Sequence, residues 1–286
     1  MTASGTFGYG IEYLQLVDIQ KIGAIVCKGT TLKPRDGNPQ PRLMEAASGL
    51  LNSVGLENIG VEAVVRDKAP VWSGWRVPVI VNIAGDTVEE YAQVAGCLEG
   101  VPGISGLEIN ISCPNVACGG MAFGTDPQVA AEVIRAVRSA SSLPVIAKLS
   151  PNVTSIERIA VSVVEAGAQA LTLINTVAGM VIDIKTRRPS LGNVFGGLSG
   201  PAIKPIALCM AYKVAGAVDV PIIGCGGIMC AEDALQFLMA GASAVQVGTA
   251  NLNDPRTALN VADGIGQFLE REGIGSLKDI IGIARD

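Results

Sequence analysis

Short apolar runs recur along the chain, each followed by a stretch in which apolar residues return every three or four positions. This alternation predicts βαβ units on a parallel sheet. Seven runs are clear, at residues 24–29, 77–85, 106–112, 145–150, 170–176, 221–227 and 244–250, with helical spacing over 88–98, 127–139, 156–166, 201–215, 231–240 and 255–270. The strand runs are apolar on both faces, as in a parallel sheet covered on both sides. With Thr2 to Ser4 read as the tail of a first strand, the pattern predicts an α/β protein built as a (β/α)8 TIM barrel with an incomplete N-terminal strand. An open doubly wound sheet is the competing architecture.

The last two strands favour the barrel. GCGGI (224–228) and VGTA (247–250) close them with small residues, at the two places where barrels build phosphate sites from backbone N–H groups. Tight turns are the plain alternative for either motif alone; the pair favours phosphate. Neither a P-loop nor a strand-linked GxGxxG is present. Two stretches, 30–58 and 177–200, are too long for plain connectors and lie on the face where barrel active sites form. The chain is therefore read as one domain, 1–286, with a long, lid-like loop 177–200 after strand six.

Composition narrows the function classes. Gly makes up 35 of 286 residues and charged residues only 16%, a buried, turn-rich balance. A net charge of -5 and 4% aromatics supply neither the basic footprint nor the stacking platform of a nucleic-acid binder. The apolar runs are strand-sized, so no membrane span is expected. The N-terminus MTASGTFGYG lacks the features of an export signal, and seven Cys then point to reduced thiols in a cytoplasmic protein. With no His anywhere, Ser-His-Asp and Cys-His triads and imidazole zinc sites are excluded, and no metal site is expected.

The strand ends carry Lys28, Asn82, Asn110, Ser112, Cys113, Asn115, Lys148, Asn175 and Thr176, which a barrel brings to one mouth. Amides that donate and accept, with two lysines, suit a flat polar heterocycle or a flavin. Turn-making and capping are the plain roles of a single Asn or Thr, and a solvated surface is that of a Lys, but Lys28 and Lys148 sit inside apolar strand sequence. Cys113 follows a strand and precedes Pro114; a thiol there serves as a general base if its surroundings favour the thiolate, and is otherwise a small hydrophobe. Cys27, Cys97, Cys209 and Cys230 are read as packing.

The segments ASGTFG (3–8), KGTTLKPRDGNPQPR (28–42), LLNSVGLEN (50–58), NISCPNVACGGMAFGTDP (110–127), INTVAGMVID (174–183) and GGLSGPAIKP (196–205), with GCGGI and VGTA, resemble the class 1 dihydroorotate dehydrogenases over essentially the whole chain. The resemblance implies an FMN-binding barrel that oxidises dihydroorotate to orotate in pyrimidine biosynthesis. It makes Cys113 the base that takes the C5 proton while the C6 hydride passes to flavin N5. It places Lys28 between flavin and substrate, as a catalytic and binding residue, and gives Asn52, Gly55, Leu56, Asn110, Asn115, Asn175 and Thr176 to the substrate. Ser4, Gly5, Asn82, Asn110, Lys148, Ile174, Gly200, Gly226, Gly227, Gly248 and Thr249 fall to FMN. AFGTDP (122–127) and NTVAGMVIDIKTRRP (175–189) resemble the 1B branch, whose catalytic subunit forms a homodimer and joins a separate subunit carrying FAD and an iron–sulfur cluster, as a heterotetramer that passes electrons to NAD. Family members usually carry a small hairpin and a full first strand before the ASG motif, so an open barrel floor is expected here. Three other readings stand beside this one: a related flavin barrel acting on another dihydropyrimidine, a Schiff-base lyase using Lys148 with phosphate at Gly226 and Gly248, and a non-catalytic scaffold.

Overall fold

The computed structural model describes residues 1–112, 114–115 and 121–285, and at 114, 115, 121 and 122 only the backbone. Seven parallel strands follow one another in chain order: β1 (Ile25–Val26), β2 (Val79–Ile83), β3 (Gly106–Asn110), β4 (Val145–Leu149), β5 (Ala170–Leu173), β6 (Ile222–Cys225) and β7 (Ala244–Gln246). Each neighbour is the next in sequence, the order a barrel requires.

The remaining gap, between β7 and β1, is filled by residues 1–3. Thr2 bridges both Ile25 and Val247 in parallel. Its N–H donates to the Ala24 carbonyl (3.1 Å), Ala3 N–H to Val247 (2.8 Å) and Val247 N–H to Met1 (2.9 Å). The Thr2 hydroxyl accepts from Val26 N–H at 3.3 Å. The short first strand anticipated from the sequence thus suffices to close the ring, and the barrel is not open at that stave.

The outer helices are α1 (Val88–Leu98), α2 (Pro127–Ala140), α3 (Ile156–Glu165), α4 (Lys204–Ala215), α5 (Ala231–Met239) and α6 (Thr257–Arg271). Their starts follow capping chemistry: Thr87 accepts from Glu90 N–H, and Asp126 accepts from Gln128 and Val129 N–H with Pro127 in the first turn. Tyr91, Val94, Ala95 and Leu98 of α1 and Val133, Ile134 and Val137 of α2 are buried in one continuous core with the strands. The helical run over 61–72, absent from the sequence reading, has a π turn, Val64–Lys68, just before Pro70, where the missing N–H interrupts regular helix bonding.

Residues 177–200 are not a plain loop. They hold strands Val177–Gly179, Ile182–Asp183, Arg188–Pro189 and Gly196–Ser199, while the earlier excursion forms a hairpin of Leu43–Ala46 and Gly49–Asn52. Four of these pair as an antiparallel sheet in the order Val177–Gly179, Gly196–Ser199, Gly49–Asn52, Leu43–Ala46, with Gly197 opposite Asn52 and Val177 opposite Leu198. Two distant excursions thus make one cover. A second correction concerns the thiols: Cys27 is buried, as packing requires, but Cys97, Cys209 and Cys230 are exposed, each in or beside an outer helix, where a small side chain meets solvent.

Candidate active site

The polar strand ends converge as the barrel requires. Register sets Asn110 beside Lys148, Lys148 beside Thr172, and Asn82 beside Glu108. Lys28 follows β1, residues 174–176 follow β5, Gly226 and Gly227 follow β6, and Gly248 and Thr249 lie just past β7.

One wall of the mouth is an amide pair. Asn110 Oδ1 accepts from Asn175 Nδ2 (3.1 Å) and from Ser112 N–H (3.2 Å), while the Tyr91 hydroxyl donates to the Asn110 carbonyl at 2.6 Å. Asn175 Oδ1 accepts from Thr176 N–H at 2.8 Å. With both amide oxygens engaged, these asparagines offer a ligand N–H donors, the complement of a carbonyl or carboxylate. The cover sheet reaches the same wall. Asn52 Nδ2 donates to the Gly197 carbonyl (3.2 Å), and a Cβ on Gly197 would lie 2.0 Å from Thr176 Oγ1. Only glycine lets the cover rest directly on Thr176.

Across the mouth, the space above Gly29 is flanked by Asn82 Oδ1 and Leu56, 3.1 and 3.3 Å from where a Cβ would stand. Half-buried Lys28 adjoins them, its backbone N–H tied to the Gly8 carbonyl at 2.8 Å. Gly55 holds φ +77° against Asn38. Ile174 is buried behind Asn175.

A third group forms a cradle of small residues. Gly200 (φ +90°) and Gly227 (φ +76°) take conformations that L side chains avoid, and a Cβ on Gly227 would lie 2.9 Å from the Gly200 carbonyl. The Thr249 hydroxyl donates to Ser199 Oγ at 2.8 Å, and Gly248 faces Ala3 and Thr6, which brings Ser4 and Gly5 alongside. Among the described residues, the N–H groups of Gly227, Gly248 and Thr249 have no carbonyl partner. Free N–H groups among glycines suit a phosphate.

Beneath these walls Lys148 is buried, 3.5 Å from Glu108 Oε1. Burial alone would lower its pKa, but the Glu108 charge, with Cys225 and the hydrogen bond to Glu108, outweighs this and holds it above the usual lysine value. A Schiff-base lysine works as the neutral amine, so this environment opposes the lyase reading. Burial also raises the Cys225 thiol and pushes Cys27 up to about 12. Glu108, Thr172 and Gln246, which the sequence reading missed, complete this floor and are fully buried. Their signal was a polar residue in each of three short, largely apolar strands.

Cys113 lies outside the described residues, as do residues 116–120. Asn115 belongs to a two-residue strand, Pro114–Asn115, antiparallel to Met121–Ala122. The donor set fits a flavin nucleotide: the cradle suits the phosphate, and Asn82 Oδ1 and Ser112 Oγ are buried polar atoms without a partner among the described residues. Among the described residues, no helix is long and apolar enough to cross a membrane.

Fold and site together define a (β/α)8 barrel whose polar mouth suits a phosphorylated heterocycle. The sequence profile of the family described as "Dihydroorotate dehydrogenase" matches residues 1–269. The chain is 57% identical to "Dihydroorotate dehydrogenase B (NAD(+)), catalytic subunit" of Desulforudis audaxviator over 99% of this chain and 92% of that protein. It is 54% identical to the proteins of the same description from Geotalea uraniireducens (99% and 92% covered) and Desulforamulus reducens (99% and 93%). The chain belongs to the dihydroorotate dehydrogenase family, oxidoreductases of pyrimidine biosynthesis that work with a flavin.

Proposed function

We propose that this chain oxidises dihydroorotate to orotate with FMN as its cofactor, as the catalytic subunit of an NAD-linked enzyme. The observation that carries this reading is the mouth itself, where the paired Asn110 and Asn175 amides lie beside buried Lys148, Lys28 follows β1, and the N–H groups of Gly227, Gly248 and Thr249 are free among the described residues. Bound FMN supplies the two-electron acceptor, at N5, for the hydride leaving C6 of dihydroorotate.

The chain's own residues do the rest. Gly200, Gly226, Gly227, Gly248 and Thr249 hold the FMN phosphate, with Ser4 and Gly5 closing the cradle. Asn82, Lys148 and Ile174 line the ring's side of the mouth, and Asn110 contributes to both ligands. Asn52, Asn110, Asn115, Asn175 and Thr176 orient the pyrimidine and its carboxylate by N–H and O–H donation, against the backbone at Gly55 and the side chain of Leu56. Lys28 supplies positive charge between the two ligands. Cys113, as thiolate, takes the C5 proton. The cover sheet, seated on Thr176 through Gly197, excludes water from the reacting faces.

The relatives are described as catalytic subunits of an NAD(+)-dependent enzyme. This supports a partner subunit, which we assign FAD and an iron–sulfur cluster, joined to a homodimer of this chain as a heterotetramer in the cytoplasm. The substrate assignment is tested by perturbation of the flavin spectrum. Orotate is expected to bind at least tenfold more tightly than uracil, since only orotate gives the donors a carboxylate to grip. Equal affinities would contradict the assignment and favour another dihydropyrimidine.

A further inference from the structure

Glu108 is the hub of the barrel floor. Its Oε1 accepts from Asn82 Nδ2 at 2.8 Å and lies 3.5 Å from Lys148 Nζ, while Oε2 accepts from Gln246 Nε2 at 2.6 Å and from Thr172 Oγ1 at 2.9 Å. The five residues come from β2, β3, β4, β5 and β7, and none is more than 5% exposed. Every group facing the carboxylate is a donor, the arrangement that an ionised carboxylate takes. A buried ion pair is a poor source of stability, since well-packed apolar residues commonly do as well. Two features point to a ligand instead. The network ends on Lys148, directly below the mouth. It also turns the NH2 groups of Asn82 and Gln246 inward to Glu108, which leaves Asn82 Oδ1 and Gln246 Oε1 as buried acceptors without a donor among the described residues. Leaving such acceptors unpaired is costly, and Asn82 Oδ1 borders the mouth above Gly29.

We propose that Glu108 is a positioning residue of the flavin site: it keeps the Lys148 ammonium charged under the ring and fixes the Asn82 amide with its oxygen toward the ligand. The proposal rests on the reading that FMN occupies this mouth, and deepens it. The pyrimidine edge of a flavin carries one N–H between two carbonyls, and its N1 side takes up negative charge on reduction. An acceptor and a cation held in fixed positions match that edge.

The proton balance of reduction reports the state of Lys148. With the lysine charged throughout, two electrons bring one proton to the flavin, at N5, and N1 remains anionic. The redox equilibrium then changes tenfold per pH unit, or ~30 mV. In Glu108→Gln the buried lysine loses its counter-ion, and such a lysine is neutral near pH 8. It takes up a second proton when charge arrives at N1, so the change becomes a hundredfold per pH unit, or ~59 mV. Among the described residues, the ionisable groups facing Lys148 are Glu108 on β3 and Cys225 on β6, with Lys28 following β1 at the mouth. All but Glu108 are common to both proteins.

The test is an anaerobic potentiometric titration of the flavin-loaded protein between pH 7.5 and 9, with dithionite as reductant. The expected slope doubles from wild type to Glu108→Gln and returns to the wild-type value in the double variant Glu108→Gln/Lys148→Met. Equal slopes in wild type and Glu108→Gln would overturn the role of Glu108. A wild-type protein that takes up no flavin would overturn the underlying reading instead. If Glu108→Gln does not fold, NMR of 13C-labelled lysines in the wild type, assigned with Lys148→Met, decides: Lys148 is expected to stay charged through pH 9, and titration below that pH overturns the proposal.

Discussion

Glu99, at the C-terminal end of α1, reaches the end of α2, where it accepts from Ser141 Oγ (2.6 Å), Ser142 Oγ (2.5 Å) and Ser142 N–H (2.9 Å). These bonds lower its pKa from 4.5 to about 2. Because the folded value lies below the unfolded one, the contribution is complete above about pH 4.5 and is lost as pH falls toward 2. Glu99→Gln is therefore expected to lower the urea midpoint at pH 7, with the gap to wild type narrowing between pH 5 and 3; a gap independent of pH would contradict this. Cys113 carries the second prediction at this scale. Cys113→Ser should keep FMN but slow its reduction by dihydroorotate by about a hundredfold or more near neutral pH, because a serine hydroxyl is a far weaker base; equal stopped-flow rates would remove the assignment. Residues at strand ends were legible in sequence because an α/β barrel gathers them whatever their neighbours: Asn82, Asn110, Lys148 and Asn175 were found this way. Glu108, Thr172 and Gln246 were not, since each lies within a short, largely apolar strand and only the closed ring shows that the three meet.

The cover sheet works through one close approach. A methyl group on Gly197 would collide with Thr176, 2.0 Å from its hydroxyl, so Gly197→Ala should lift the cover or displace Thr176. The expected result is a KM for dihydroorotate raised about tenfold, or roughly 1.4 kcal/mol of binding, with flavin content unchanged; an unchanged KM would separate the cover from the substrate site. Barrel strands and outer helices were readable because apolar period and turn residues agree: α1 falls at its expected bounds, and α2, α3 and α5 end within one residue of theirs. The cover was not. Its strands are three or four residues long, and the central pairing of Gly196–Ser199 with Gly49–Asn52 joins two excursions far apart in the chain, so no alternation or local turn marks the sheet as one.

For the whole molecule, closure of the ring depends on residues 1–3. Thr2→Pro removes the N–H that meets Ala24 and the hydroxyl that meets Val26, leaving two buried backbone groups unpaired at about 1–3 kcal/mol each. Against a total of roughly 5–15 kcal/mol, thermal unfolding should fall by several degrees with some loss of bound flavin, because Ala3 faces Gly248 in the phosphate cradle. A variant with unchanged melting and flavin content would show that the first stave is dispensable. The ring, the cradle and the cover all serve one mouth. The most direct test is the visible spectrum of the purified protein before and after dihydroorotate is added without oxygen. A flavin band at about 450 nm that bleaches on addition is the expected result; a band that persists would contradict the substrate, and the absence of any band would contradict the flavin site.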